Sequence, residues 1–255
     1  MEKGGDNRPE DAETQHMEPG GYGGTVFAQP GPFPQPGDGV FAVVLLVFGQ
    51  VWFTMLAAPA GDLAHRLPGP AWGTADTLVQ AVVSVLVLGL LWFYIAWVRG
   101  AGLRQAGITC GSLPVQTLRG FALALLAFVL GLLATALLLT AARAISAPLG
   151  VSPAEFNAFL ERNGARETET ARSVMNGVGV VLAVGLAPVI EELVFRGLLF
   201  RGLRRRAGFW PSAALSAAMF TGLHFYILGA PMIFVMGLVS AWTVARYRSL
   251  TPALF

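Results

Sequence analysis

The sequence predicts an all-α protein that crosses a membrane several times. Hydrophobic residues make up 55% of its 255 residues and charged residues only 13%, which is about half the charged fraction of an average soluble domain. The mean hydropathy is +0.61, and the apolar residues form runs long enough for an α-helix to cross a bilayer. We therefore expect a polytopic transmembrane helical bundle with six spans and the start of a seventh.

The first 39 residues differ in composition from the rest of the chain. They are rich in Gly and Pro, and they carry several acidic side chains but few apolar ones. Such a segment has little apolar surface to bury on folding, so we expect residues 1–39 to be a disordered tail and residues 40–255 to form the membrane domain. The tail lacks the basic start and apolar stretch of a signal peptide.

Four apolar runs predict membrane spans directly, and two shorter runs that follow them predict two more. In chain order the six runs are Val40–Ala58, Asp76–Val98, Leu118–Ala142, Val178–Leu203, Trp210–Leu228 and Ala230–Ala245. The closing segment SLTPALF is typical of the first turns of a further helix.

The basic residues gather at the ends of the apolar runs, and cytoplasmic loops carry an excess of such residues. If the N-terminus is cytoplasmic and the spans alternate, the inner side holds Lys3, Arg8, Arg99, Arg104, Arg119, Arg201, Arg204, Arg205, Arg206, Arg246 and Arg248. The outer side then holds only Arg66, Arg143, Arg162, Arg166 and Arg172. This bias predicts a multi-pass membrane protein with a cytoplasmic N-terminus. Because the arginines are dispersed, they do not indicate a nucleic-acid partner.

The loop after the third span predicts a helix of its own. Ser152 at the N-cap, Pro153 at the first helical position and Glu155 at the third form a capping box. Apolar residues then follow at helical spacing, and Gly164 fits a C-terminal stop. We expect an amphipathic helix on the membrane surface; a substrate gate is the alternative.

The fourth run contains three charged residues, Glu191, Glu192 and Arg196, where lipid or buried protein is expected. A charge at the bilayer centre costs about 2.5–3.5 kcal/mol on insertion scales. Glu192 and Arg196 are four residues apart and can pair on one helix face. Glu191 points elsewhere and has no basic residue one turn later. A buried ion pair that only fixes helix packing would therefore explain Glu192 and Arg196 and leave Glu191 unexplained.

His224 is predicted to lie at the same membrane depth as Glu191. Glu191 precedes Arg204 by about 20 Å along a helix, and His224 follows Trp210 by about 21 Å along the returning helix, at 1.5 Å per residue. Phe220 lies one turn from His224 on the same face and is a candidate wall of a substrate pocket. We expect the Glu191 and His224 side chains to approach within about 4 to 7 Å.

A carboxylate and an imidazole in a wet cavity can perform more than one kind of chemistry. Glu191 can take a proton from water while His224 positions that water or donates to a developing oxyanion. Both residues could instead ligate a divalent metal such as zinc, although a catalytic zinc usually has three protein ligands. A proton- or ion-coupled transporter that uses the two residues as a relay is the alternative from another class.

Two motifs resemble those of the CPBP family of intramembrane endopeptidases, which includes CAAX prenyl proteases and bacterial Abi-type proteins. EELVFRG supplies Glu191, Glu192 and Arg196 for the pattern EExxxR, and FTGLH supplies Phe220 and His224 for the pattern FxxxH. The resemblance implies that Glu191 is catalytic, that Glu192 and Arg196 support it, and that His224 helps to hold the attacking water. It implies a protease with a membrane-anchored substrate. We favour a glutamate mechanism without a cofactor; the metalloprotease mechanism stays open.

The resemblance covers about residues 175–255, and one part of the family pattern is missing. The third motif, a His with Asn or Asp four residues later, would lie on the helix that SLTPALF begins. His16 and His65 cannot replace it, so we expect the sequence to be truncated or the site to be incomplete. The substrate stays open between a prenylated CAAX protein and a membrane-anchored peptide, as in bacteriocin maturation or self-immunity. Abundant Arg, Ala and Gly with almost no Lys favour a bacterial cell membrane.

Overall fold

The computed structural model describes residues 33–64, 75–109, 113–173 and 182–254. Within these ranges every regular element is a helix, as the composition predicts. In chain order the helices are α1 (Pro36–Ala64), α2 (Ala75–Phe93, extended by a π turn over Tyr94–Val98), α3 (Leu103–Ala106), α4 (Leu113–Ser146), α5 (Pro153–Ser173), α6 (residues 182–207), α7 (Phe209–Gly222) and α8 (Ala230–Tyr247). A short 3₁₀ turn, Thr251–Ala253, follows α8.

Four helices of the described chain are long and apolar enough to cross a membrane. They are Pro36–Leu56, Val79–Val98, Pro114–Ser146 and Ala230–Tyr247. These segments overlap the first, second, third and sixth apolar runs of the sequence, so the polytopic all-α class is confirmed. The full count of six spans and the start of a seventh stays a prediction.

Helix α6 is the central helix of the bundle. Its residues Leu193, Val194, Phe195, Leu198 and Leu199 are buried and belong to the largest apolar core, to which α1, α2, α7 and α8 also contribute. The outward sides of α1, α2 and α4 carry many exposed apolar side chains. Such exposure is expected of surfaces that face lipid, and it leaves the charged segment of α6 shielded by protein.

Close contacts between small residues bring α7 and α8 together beside α6. A Cβ atom on Gly237 of α8 would lie 2.8 Å from the Cβ atom of Ala217 on α7. In membranes helices associate through such small residues, because close backbone approach gives the van der Waals contact that drives packing. This contact holds α8 near enough for its side chains to reach the α6 carboxylates.

The last residues of the predicted tail belong to the helical bundle. Helix α1 begins at Pro36, and the Asp38 carboxylate is buried in its first turn. Its Oδ1 accepts a hydrogen bond from the Tyr94 hydroxyl at 2.5 Å and lies 3.0 Å from Arg99 Nε. Helix α1 thus begins before residue 40, and the division of the chain into a tail and a membrane domain stays a prediction. Residues 1–32 of the predicted tail lie outside the described residues.

Helix α5 begins as the sequence predicts. The backbone N–H of Glu155 donates to Ser152 Oγ at 3.2 Å, and the N–H of Ser152 donates to the Glu155 carboxylate at 2.8 Å. The Ser152 hydroxyl also donates to the carboxylate at 2.8 Å. The bond from the Ser152 N–H, followed by the bond from its hydroxyl, holds the pKa of the Glu155 carboxyl below its ordinary value. The predicted stop at Gly164 is wrong, because the helix continues to Ser173. A glycine inside a helix costs only about 0.5–1 kcal/mol, which the helix tolerates here.

The fifth apolar run is helical over a shorter length than predicted. Helix α7 ends at Gly222, and the chain then makes a turn over residues 223–229 before α8 begins. We call these residues the 223–229 turn. His224 therefore lies in the turn and not on a continuous returning helix. Phe225, the next residue, has a left-handed backbone with φ of +53°.

Candidate active site

The charged segment of α6 has an unusual backbone. One regular turn, Ala187–Glu191, lies between two π-helical stretches, Leu182–Leu186 and Glu192–Phe200. Pro188 lacks an N–H group, so a regular ladder of hydrogen bonds cannot pass through this point. The Ser216 hydroxyl of α7 donates to the Phe195 carbonyl at 2.9 Å. Such π segments occur often at functional sites, where they redirect side chains.

The Glu192 carboxylate is buried between two partners. Its Oε1 atom lies 3.3 Å from Arg196 Nη1, so the predicted pair is confirmed. Its Oε2 atom accepts a hydrogen bond of 2.8 Å from the Ser240 hydroxyl on α8. Both carboxylate oxygens are thus engaged, and the side chain links α6 to α8.

The Arg196 guanidinium is 1% exposed and lies among aromatic rings. Its centre is 4.2 Å from the centroid of the Phe220 ring and 5.9 Å from that of Phe195. Among the described residues, neither Nε nor Nη1 makes a hydrogen bond of good geometry. Cation–π contact and the charge of Glu192 compensate part of the cost of its burial.

Glu191 and His224 line one cavity of about 910 Å³. The described part of its wall comes from one face of α1, the C-terminal half of α5, α6 and the 223–229 turn. The α1 face is mostly apolar and includes Leu46, Val47, Val51 and Phe53, with Gln50 and Thr54 among them. The two residues placed at equal depth by the sequence therefore share one compartment. Their approach to within about 4 to 7 Å stays a prediction.

Phe220 lies behind this cavity and does not line it. The cavity wall on that side is formed by Phe195. The Phe220 ring packs edge-on against His224 with centroids 4.6 Å apart, and it contacts Arg196 on the other side. The ring thus supports these two side chains, and its predicted contact with substrate stays a prediction.

The His224 ring bonds through Nδ1 to the Phe220 carbonyl, with the two atoms 2.7 Å apart. A carbonyl oxygen can only accept, so Nδ1 must carry the proton. In the neutral imidazole this leaves the lone pair on Nε2. The ring can therefore accept a hydrogen bond from a molecule in the cavity.

Sequence reasoning missed three of the residues that shape this site. Ser240 and Ser216 are isolated hydroxyls in apolar helices, and their spacing does not reveal which neighbour they contact. Glu167 lines the cavity from α5, but in the sequence it resembles the exposed Glu161 and Glu169 on the same helix. Only the tertiary contacts distinguish these positions.

Replacement of Ser240 by Ala should destabilise the protein. The change removes one of the two partners of the buried Glu192 carboxylate, and an unsatisfied buried acceptor costs about 1–3 kcal/mol. Thermal unfolding in detergent measures the loss. Ser212→Ala is the matched control, because the buried Ser212 hydroxyl has no hydrogen-bond partner within the described part of the chain. Equal melting temperatures for the two variants would contradict the assigned role of Ser240.

The residues around the cavity do not form a set that fits zinc. No group of three His, Cys, Asp or Glu side chains that could hold a metal ion occurs among residues 33–64, 75–109, 113–173 and 182–254. Glu191 and His224 supply two ligands, whereas catalytic zinc sites usually have three from protein. We therefore derive no step through a metal.

Comparison with known proteins agrees with the two motifs. Residues 174–255 match the family model described as type II CAAX prenyl endopeptidase Rce1-like. Searches of curated proteins and of solved structures gave no match. The matched residues include Glu191, Glu192, Arg196, Phe220 and His224, and the resemblance inferred from the motifs is confirmed over this part of the chain. Over residues 174–255 the chain is thus similar to the Rce1-like type II CAAX prenyl endopeptidases.

Proposed function

We propose that this protein is an intramembrane endopeptidase in which Glu191 activates a water molecule and His224 orients it. One observation carries the proposal. Glu191 and His224 line the same cavity, while the neighbouring Glu192 is occupied by Arg196 and Ser240. Of the two adjacent carboxylates, Glu191 is the one available for chemistry.

The tautomer of His224 supports a positioning role. With its proton on Nδ1, the neutral ring offers the Nε2 lone pair to one hydrogen of the water, and Glu191 accepts the other. The water oxygen then attacks the scissile carbonyl carbon as its proton passes to Glu191. When the C–N bond breaks, Glu191 returns this proton to the leaving amine, so water is consumed and both residues are regenerated. When Nε2 of His224 accepts a hydrogen bond from water, it cannot donate one to the developing oxyanion. Donation to the oxyanion is therefore the less favoured role of His224.

The cavity walls support a substrate that is anchored in the membrane. The α1 face offers apolar side chains, and α5 places the polar Asn163, Arg166 and Glu167 at the same cavity. An amphipathic peptide, with an apolar anchor and a polar end, would contact both kinds of wall. Prenylated CAAX sequences and anchored bacterial peptides, as in bacteriocin maturation or self-immunity, both have this character. No observation on the described residues favours the transporter alternative.

The function is tested with purified protein in liposomes and two quenched fluorescent peptides of one sequence, one with a prenyl group and one without. We expect cleavage of at least one peptide, and the ratio of kcat/KM values identifies the anchor that the cavity prefers. Uptake of protons by the same liposomes is measured in parallel. Proton uptake without cleavage of either peptide would support the transporter and contradict the proposal.

A strong chelator should leave the cleavage rate unchanged, because the proposed mechanism uses only Glu191, His224 and water. Rates are measured before and after incubation with the chelator and removal of the complexed metal. A zinc-dependent peptidase of known activity serves as the positive control for metal removal. Loss of cleavage that added Zn²⁺ restores would show that a metal activates the water and that Glu191 acts as a ligand.

A further inference from the structure

The carboxylate of Glu167 joins α5 to the start of α8. Its Oε1 atom accepts a hydrogen bond of 2.7 Å from the N–H of Leu228, and its Oε2 atom accepts one of 3.2 Å from the N–H of Gly229. Gly229 is the N-cap of α8, and Pro231 lies in the first turn. The first N–H groups of a helix lack partners within the helix, and its dipole favours a negative charge at that end. Glu167 meets both requirements at Gly229 from a different helix, and it also binds the N–H of Leu228, the residue before the N-cap.

The segment that Glu167 holds is the 223–229 turn, which also carries His224. Two further features indicate that this turn needs support from outside. Phe225 adopts a left-handed backbone, which non-glycine residues seldom do. Its side chain is 85% exposed, so the ring does not pack into the core to hold this conformation. The two hydrogen bonds to Glu167 fix the C-terminal end of the turn, and the contacts of His224 with Phe220 fix the other end.

We propose that Glu167 is a positioning residue for His224, and this inference rests on the proposed peptidase function. By fixing the turn at Leu228 and Gly229, Glu167 sets where the Nε2 atom of His224 lies in the cavity. The same contact keeps Asn163, Arg166 and Glu167 of α5 at the cavity wall. The helix outside the predicted spans therefore contributes to the geometry of the reacting groups and does more than cover the membrane surface.

Replacement of Glu167 should slow the chemical step of peptide cleavage. Displacement of a reacting group by about 1 Å can lower a rate by about 10²-fold. We expect Glu167→Ala to lower kcat by about 10- to 100-fold with a change in KM of less than about threefold. Glu167→Gln keeps one carbonyl oxygen as an acceptor and should recover part of the loss. Glu161→Gln is the matched control, because it makes the same chemical change at an exposed position of α5.

A second measurement, of nitrogen chemical shifts, reports the tautomer of the His224 ring and does not depend on peptide cleavage. Protein labelled with ¹⁵N-histidine gives signals from His16, His65 and His224, and the His224→Ala variant identifies the third. In the wild type the His224 shifts should report a proton on Nδ1. In Glu167→Ala we expect them to move toward a mixture of tautomers, because the hydrogen bond to the Phe220 carbonyl weakens. They should stay unchanged in Glu161→Gln.

The outcomes separate this inference from the proposed function. If the wild type cleaves no peptide, the proposed function fails, and the nitrogen shifts still decide whether Glu167 controls the His224 ring. If the wild type cleaves but Glu167→Ala has the kcat of Glu161→Gln, the positioning role is overturned. A lower melting temperature with unchanged His224 shifts and unchanged kcat would make Glu167 a structural cap only and would overturn it as well.

Discussion

Replacing Glu191 by Gln should lower the rate of peptide cleavage by about 10²- to 10⁴-fold, the range for loss of a general base. Gln has the shape of Glu but cannot take a proton from water. The Glu191 side chain lines the cavity, whereas Glu192 is the carboxylate that lies 3.3 Å from Arg196. We therefore expect the variant to bind substrate and to keep the melting temperature of the wild type. The measurement is kcat/KM with the quenched peptide, beside thermal unfolding in the same detergent.

Glu169→Gln serves as the control for Glu191→Gln, since it removes a carboxylate from an exposed position on α5. This variant should cleave at the rate of the wild type. A Glu191→Gln protein that is folded and cleaves within about twofold of the wild type would remove Glu191 from the mechanism. The general base would then have to be sought elsewhere on the cavity wall.

The class of fold and the buried ion pair were predictable because both depend on properties that act over short stretches of sequence. Apolar runs reveal spans, and the charges at 191, 192 and 196 are conspicuous because they are costly in such a run. The four-residue spacing of Glu192 and Arg196 was enough to predict their ion pair, which the structure confirms at 3.3 Å. Glu191 and His224, which we predicted at the same depth, line one cavity, although His224 lies in the 223–229 turn and not on a helix.

Other features of the fold and the site could not be predicted from the sequence, because they depend on contacts between helices. The end of α7 at Gly222 follows from tertiary structure around the 223–229 turn, since the apolar run continues past it. The role of Glu167 depends on the N-terminus of a helix that lies about sixty residues later in the chain. Phe220 was expected at the substrate pocket because it lies on the face of His224. That expectation stays a prediction. The contacts of the Phe220 ring with Arg196 and His224 are tertiary contacts, which a pattern of spacing does not contain.

The second large effect is expected for the buried pair of Glu192 and Arg196. Replacing Glu192 by Leu leaves the guanidinium of Arg196, which is 1% exposed, without the carboxylate that balances its charge. Removal of one partner of a buried pair costs about 3–5 kcal/mol, because the remaining charge is neither hydrated nor paired. Aromatic contact with Phe220 compensates only part of this cost, since cation–π contacts contribute about 0.5–2 kcal/mol. We therefore expect a large fall in the melting temperature, or no folded protein, for Glu192→Leu.

A double-mutant cycle separates the free energy of interaction between Glu192 and Arg196 from the effect of each single substitution. The variant Glu192→Leu with Arg196→Met removes both charges and fills a similar volume with apolar groups, so it should regain most of the stability that Glu192→Leu loses. Ser240 then loses its acceptor, but its hydroxyl can donate to a backbone carbonyl of its own helix, as Thr243 does with Val239. If the double variant is as unstable as Glu192→Leu alone, the two residues do not act as a pair and the packing of the π-helical segment is what matters. If it is stable but cleaves slowly while Glu191 is intact, the pair also orients Glu191, which directly precedes it on α6.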